Sequence, residues 1–199
     1  MRTIRLASAL ILLSLAGPIA ARAQQVDVAF GATTLAAPGA SEASGNHFPQ
    51  SLTGGFYPNF SGDVLFFHHF GVGASVSWRA SRSLYQNLVP YRPVLYDFNA
   101  VFAPPLGHRV QPELQAGLGA ESVRFYTGTL NCNLVSCTNY VSSNHFLGHF
   151  AVGLRYYVWG HVFVRPEAHL YLVNNNQEFS SARAVRFGIS LGYTLGPSE

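Results

Sequence analysis

The sequence predicts an all-β fold, an eight-stranded antiparallel up-and-down transmembrane β-barrel, and three observations predict it. Residues 110–121 alternate without a break: Val110, Pro112, Leu114, Ala116, Leu118 and Ala120 are separated by Gln111, Glu113, Gln115, Gly117, Gly119 and Glu121. Successive side chains of a strand point to opposite faces, so this stretch has one apolar and one polar face; a helix would scatter the same charges around its surface. The stretch is as long as the roughly 9–11 residues that a tilted strand needs to cross a bilayer. Next, the chain opens with Met1-Arg2-Thr3-Ile4-Arg5, an uncharged run from Leu6 to Ala20, and Ala21-Arg22-Ala23. These are the basic, apolar and A-x-A parts of a secretory signal peptide. Finally, charged residues make up 11% of the chain and lysine is absent, whereas soluble domains carry about 25% charge.

The expected organisation is a signal peptide at 1–23 and a single barrel domain at 24–199. The apolar run is shorter than the ~20 residues of a spanning helix, which disfavours an uncleaved anchor. The formal charge of +3 also belongs to this segment: without Arg2, Arg5 and Arg22, nine arginines face nine acids. The basic balance therefore gives no support to nucleic-acid binding. No later segment is apolar for ~18 residues, so a helical membrane protein is not expected.

Eight segments read as strands. The first is Val26–Leu35 and the second Gly55–Phe67, blurred by Pro58 and Gly62. The third, Gly71–Ala80, sets Val72, Ala74, Val76 and Trp78 on one face. The fourth, Val94–Ala103, sets Tyr96, Phe98, Ala100 and Phe102 opposite Asp97 and Asn99. The fifth runs from Val110 to Phe125. The sixth, His145–Val158, sets Phe150, Val152, Leu154 and Tyr156 opposite His149, Gly153 and Arg155. The seventh, Val162–Val173, sets Val164, Pro166, Ala168, Leu170 and Leu172 opposite Arg165, Glu167, His169 and Tyr171. The eighth, Ala184–Leu195, sets Val185, Phe187, Ile189 and Leu191 opposite Arg186, Ser190 and Thr194. Residues 36–54, 81–93, 126–144 and 174–183 form the longer connections. The turns at His68-His69-Phe70, Pro104–Arg109 and Trp159-Gly160-His161 are short. Long loops on one rim and short turns on the other are the rhythm of a membrane barrel, and an even strand count places both ends on the short-turn side.

Alternation alone leaves open which face looks outward, since a soluble lipocalin-like barrel alternates too. Three features favour a polar lumen and a lipid-facing exterior. The polar face carries Gly117, Gly119, Gly153, Gly188 and Gly192, which suit a crowded interior. Its charges are of both signs, Asp97, Glu113, Glu121 and Glu167 against Arg155, Arg165 and Arg186, and can pair as buried charges must. Aromatic residues collect at strand ends, as at Phe66, Phe67 and Phe70, and at Tyr156, Tyr157 and Trp159, where membrane barrels carry girdles.

On the signal segment, alternating segments such as Val162–Val173 and Ala184–Leu195, and the loop rhythm, the chain resembles the small eight-stranded outer-membrane barrels of the OmpA-like, OmpX-like and opacity type. The resemblance implies a bacterial cell outer-membrane location, outer-membrane lipid as surroundings, and periplasmic chaperones and the barrel-assembly machinery as partners in biogenesis. It implies a monomer, with no cofactor and no nucleic acid. Such barrels commonly end in an aromatic residue read during insertion. Here Gly192-Tyr193-Thr194-Leu195 is followed by four more residues, so either Tyr193 serves internally or the signal is weaker.

Candidate chemistry is sparse. Cys132 and Cys137 are the only cysteines; in an oxidising compartment they predict a disulfide that pins a loop, and two thiols do not complete a zinc shell. His145 and His149 share a strand face but are ~13 Å apart along it, too far for one metal ion, and no metal site is expected. Ser143 and His145, with Glu167 or Glu178 as orienting acid, are the one hydrolase-like group. The charges Asp97, Glu113, Glu121, Arg155, Arg165, Glu167 and Arg186 read as a salt-bridged plug, because eight strands leave an interior that side chains fill. The expected function is therefore non-enzymatic: a structural or surface-interaction role carried by loops 36–54 and 126–144. An outer-membrane lipid hydrolase and a soluble ligand-binding barrel are the rivals.

Overall fold

The computed structural model describes residues 25–37, 51–66, 69–132, 137–174, 178–179 and 182–196, so the expected signal segment at 1–23 lies outside the described residues. The strands are β1 (Gln25–Ala36), β2 (Tyr57–Phe66), β3 (Phe70–Trp78), β4 (Ser83–Tyr85), β5 (Val89–Phe102), β6 (Val110–Cys132), β7 (Cys137–Trp159), β8 (Val162–Val173) and β9 (Arg183–Leu195). All pairings are antiparallel, in the order β3-β2-β1-β9-β8-β7-β6-β5, and β3 pairs with β5 to close the ring. Eight strands thus form the wall. The three-residue β4 is extra and folds back on β5 through a tight turn in which Gln86 and Asn87 both have positive φ.

The wall is inside-out relative to a soluble protein. Phe30, Phe98, Leu118 and Ile189 are 58%, 69%, 58% and 52% exposed, whereas Arg155, Arg165 and Arg186 are 0%, 1% and 0% exposed. Apolar side chains on the outer surface and fully enclosed guanidiniums inside are stable only if lipid contacts the exterior. On that exterior an open groove of about 620 Å³ runs past Phe102, Leu114, Ala116, Phe150, Val152 and Leu170.

Enclosed charge is not the whole of the interior. Toward the short-turn end, Leu65, Val101 and Ala103 form an apolar floor. Toward the long-loop end, Tyr57, Tyr91, Leu95, Val123, Leu147 and Tyr171 form an apolar cap with Phe179. Phe179 comes from the loop between β8 and β9 and is wholly buried; its ring lies 5.0 Å from Tyr91 and 5.6 Å from Tyr85. Tyr85 donates from its hydroxyl to the Glu178 carbonyl at 2.9 Å, tying that loop to β4. The paired charged side chains, Arg155 and Arg165 with Asp63 and Glu113 among them, sit between the two apolar layers.

The longest departure from expectation is within residues 126–144, where 126–132 and 137–144 are strand. β6 and β7 are 23 residues each and pair on to Cys132↔Cys137, with a register shift between Tyr126 and Asn131. At ~3.3 Å per residue each strand is far longer than a ~30 Å hydrocarbon layer requires. β5 accompanies β6 only to Phe125 and β8 joins β7 only from Leu147, so the hairpin's outer part is a two-stranded ribbon standing beyond the ring.

Candidate functional site

The lumen is organised by two arginines on adjacent strands. Arg155, from β7, contacts Asp27 and Glu113 and lies 3.0 Å from Asp63. Arg165, from β8, donates to Glu167 at 2.8 Å, Glu113 at 3.0 Å, Asp63 at 3.3 Å and the Ser61 hydroxyl at 2.7 Å. Glu113 and Asp63 are shared, so the fork of each guanidinium is spread over carboxylates from several strands. Five strands, β1, β2, β6, β7 and β8, are thereby tied across the barrel axis.

Of the seven charges expected in one network, Glu113, Arg155, Arg165 and Glu167 come together. Arg186 and Asp97 join it through amide and imidazole bridges rather than through direct carboxylate–guanidinium pairs, and Glu121 sits at the cap. Arg186 donates to the Asn59 side-chain Oδ1 at 2.8 Å, the Nδ2 of the same amide donates to Glu167 at 2.9 Å, and Arg186 lies 5.7 Å from the Tyr171 ring. Asp97 accepts from Ser75 at 2.9 Å and from Asn99 at 2.5 Å, with His149 Nδ1 at 3.4 Å, and Asn99 also donates to Gln115 at 3.3 Å, which in turn donates to Glu113. The strand of Asp97 is offset from the arginines around the ring, so hydroxyl, amide and imidazole groups serve it instead. Glu121 is buried higher, in register with Leu95 and His145 at the cap. Asp27 and Asp63 were missed. Their alternation is visible in Val26-Asp27-Val28 and Gly62-Asp63-Val64, but only ring closure brings β1 and β2 to β7.

The hydrolase-like residues do meet, with Glu178 rather than Glu167. Ser143 Oγ donates to Glu178 Oε1 at 2.5 Å and lies 3.0 Å from His145 Nε2. The same Nε2 lies 3.0 Å from Glu178 Oε2. A relay needs one ring nitrogen on the nucleophile and the other on the acid. Here one nitrogen meets both, and the serine proton points at the carboxylate. Ser143 is paired with the wholly buried Val123, so its side chain faces the lumen and not the lipid.

His149 and His169 stack at 5.1 Å and bond through Nε2 and Nδ1 at 2.9 Å. Among the described residues no group of three or more His, Cys, Asp or Glu side chains is arranged to hold a metal ion.

On the ribbon, Cys132 and Cys137 are joined as a disulfide across the last strand pair. Below it, Tyr126 and Tyr140 face each other at 5.9 Å, with Arg82 stacked 3.7 Å from the Tyr126 ring and Arg124 at 5.1 Å from the Tyr140 ring. An isolated two-stranded hairpin is marginal in water, so these contacts and the disulfide hold it. The loop closed is small and confers roughly 2 kcal/mol in the chain-entropy model. Reduction is expected to leave the barrel's unfolding midpoint unchanged while speeding amide exchange over residues 126–140. A large fall in that midpoint would show that the ribbon is coupled to the wall.

Residues 7–196 match the family described as outer membrane protein beta-barrel domain. The chain belongs to this family. No curated protein sequence matches it. Among solved structures it is similar to Ail, the attachment invasion locus protein of Yersinia pestis, in complex with a heparin analogue (TM-score 0.57, 11% identity, 86% of this chain and 98% of that one). It is also similar to the N-terminal barrel domain of Pseudomonas aeruginosa OprF (TM-score 0.55, 12% identity, 87% and 98%) and to Neisserial surface protein A (0.54, 13%, 85% and 95%). At these identities the likeness is one of fold. It agrees with the inside-out wall in making this an outer-membrane barrel.

Proposed function

We propose that this protein is a non-enzymatic, non-conducting barrel of the outer membrane, monomeric, whose interactions are carried by the β6–β7 ribbon. The observation that carries the reading is the filled lumen. Arg155 and Arg165 span it with ion pairs, and apolar layers close it above and below. Ions crossing such an interior would have to break buried pairs. The ribbon, by contrast, presents strand edges that neither β5 nor β8 covers, a geometry that accepts an added strand.

The Ser143–His145–Glu178 contact favours a lipid hydrolase as second reading, and the two are separable. In cells expressing the protein, the acylation patterns of phospholipid and outer-leaflet glycolipid are expected to be the same for wild type, Ser143→Ala and His145→Ala. The purified barrel is expected to give no discrete conductance steps in planar bilayers. A deacylated product lost with Ser143→Ala would establish the hydrolase, and regular conductance steps would remove the closed lumen.

A further inference from the structure

We infer that the outer rim of the β4–β5–β6 sector is a binding site for phosphate groups of the outer-leaflet glycolipid, with Arg82, Arg92 and Arg124 as its ligands. The charges of this protein are segregated by sign. Every aspartate and glutamate among the described residues faces the lumen or its mouth. The outward surface at the long-loop rim carries arginine.

Register places these arginines together. Arg92 on β5 is directly opposite Arg124 on β6, and Ser83↔Tyr91 pairing brings Arg82 alongside Arg92. Arg92 and Arg124 alternate with the buried Tyr91 and Val123, so both face outward. One pleat below them lie Val94 and Trp78, paired with each other, and then the exposed Tyr96 begins the lipid-facing surface. The guanidiniums therefore stand at the boundary between hydrocarbon and water, where lipid headgroups are.

Like charges directly opposite one another on neighbouring strands repel. Among the described residues no carboxylate pairs with Arg82, Arg92 or Arg124; Arg92 meets only a neutral acceptor, donating from Nη2 to the Ala80 carbonyl at 3.0 Å. The repulsion calls for an anion from outside the chain. Stacking on Tyr126 and Tyr140 uses the faces of Arg82 and Arg124, not their in-plane N–H donors. A planar fork of donors matches a phosphate in two-point contact, which lysine cannot copy. A membrane-anchored phosphate is favoured over a free one because the arginines border the lipid-facing wall, so the ligand's acyl chains would lie against Tyr96 and Phe146 below.

The test uses the full mature chain folded in zwitterionic detergent. Binding of a bis-phosphorylated acylated glucosamine disaccharide is measured beside its dephosphorylated form and inorganic phosphate. The phosphorylated lipid is expected to bind with an affinity that falls as salt rises. Each of Arg82→Gln, Arg92→Gln and Arg124→Gln is expected to weaken it about fivefold, from the ~1 kcal/mol that a basic side chain contributes near an anionic surface. Arg109→Gln, at a short turn on the opposite rim, is expected to bind as wild type. Heat-modifiable gel migration confirms that each variant is folded. Equal binding of the dephosphorylated lipid, equally tight binding of inorganic phosphate, or a triple variant that binds like wild type would each overturn the site. None of these outcomes bears on the ribbon or on catalysis.

Discussion

Arg155→Ala is expected to be the most destabilising single substitution in the lumen, lowering stability by about 3–5 kcal/mol, as breaking a buried ion pair does. Arg155 is wholly buried and holds Asp27, Asp63 and Glu113. Among the described residues, its removal leaves a cluster of carboxylates with Arg165 as the only guanidinium paired with Asp63 and Glu113, and none paired with Asp27. Folded proteins have only about 5–15 kcal/mol in hand, so the variant should unfold far sooner on heating in detergent, read as loss of the fast-migrating folded band. Arg165→Ala should fall in the same direction, since Glu167 and the Ser61 hydroxyl lose their donor. Arg109→Ala, on an exposed turn, should move stability by no more than about 0.5 kcal/mol. A coupled reversal adds specificity: Asp27→Asn in the Arg155→Ala background should recover part of the loss, because it removes a carboxylate left unpaired. If Arg155→Ala, Arg165→Ala and Arg109→Ala unfold together, the ion layer does not hold the barrel.

What the sequence disclosed depends on whether lipid constrains a position. Val162–Val173 is legible to the residue, because lipid demands apolar side chains on one face, the lumen demands polar ones on the other, and turn residues bound both ends. The ribbon is illegible for the converse reason. Beyond Phe125 both faces meet water, so Tyr126-Thr127-Gly128-Thr129 carries no period-two apolar signal and reads as loop. The apolar cap was hidden by assigning faces wholesale: Leu95, Leu147 and Tyr171 sit on the lumen face, and their size marks where the polar layer stops. Within the ion layer, the residues of β6, β7 and β8 are near in sequence and were grouped. Asp27 and Asp63 lie 128 and 92 residues from Arg155.

Gly119→Val is expected to prevent formation of the folded barrel. A Cβ built at Gly119 lies 2.0 Å from the Tyr96 carbonyl oxygen and 2.8 Å from the Asp97 Cα. Both obstacles are backbone, and the backbone of β5 is held by its pairing with β3 and β6. Gly117 meets the same wall one pleat away, with the Phe98 oxygen at 2.0 Å. Overpacking a yielding core costs about 1–3 kcal/mol; here β5 and β6 must part or slip. A one-residue slip would turn Glu121 and Gln115 toward lipid and Leu118 into the ion layer. The alternating segment that first identifies the fold thus owes its register to the two residues in it that contribute no side chain. Gly62→Ala is the matched control, since a Cβ there meets only the Asp27 oxygen at 3.8 Å; it should fold and migrate as wild type. Folded Gly119→Val of wild-type stability would show that β5 and β6 can separate freely, and the tight lumen seam would have to be abandoned.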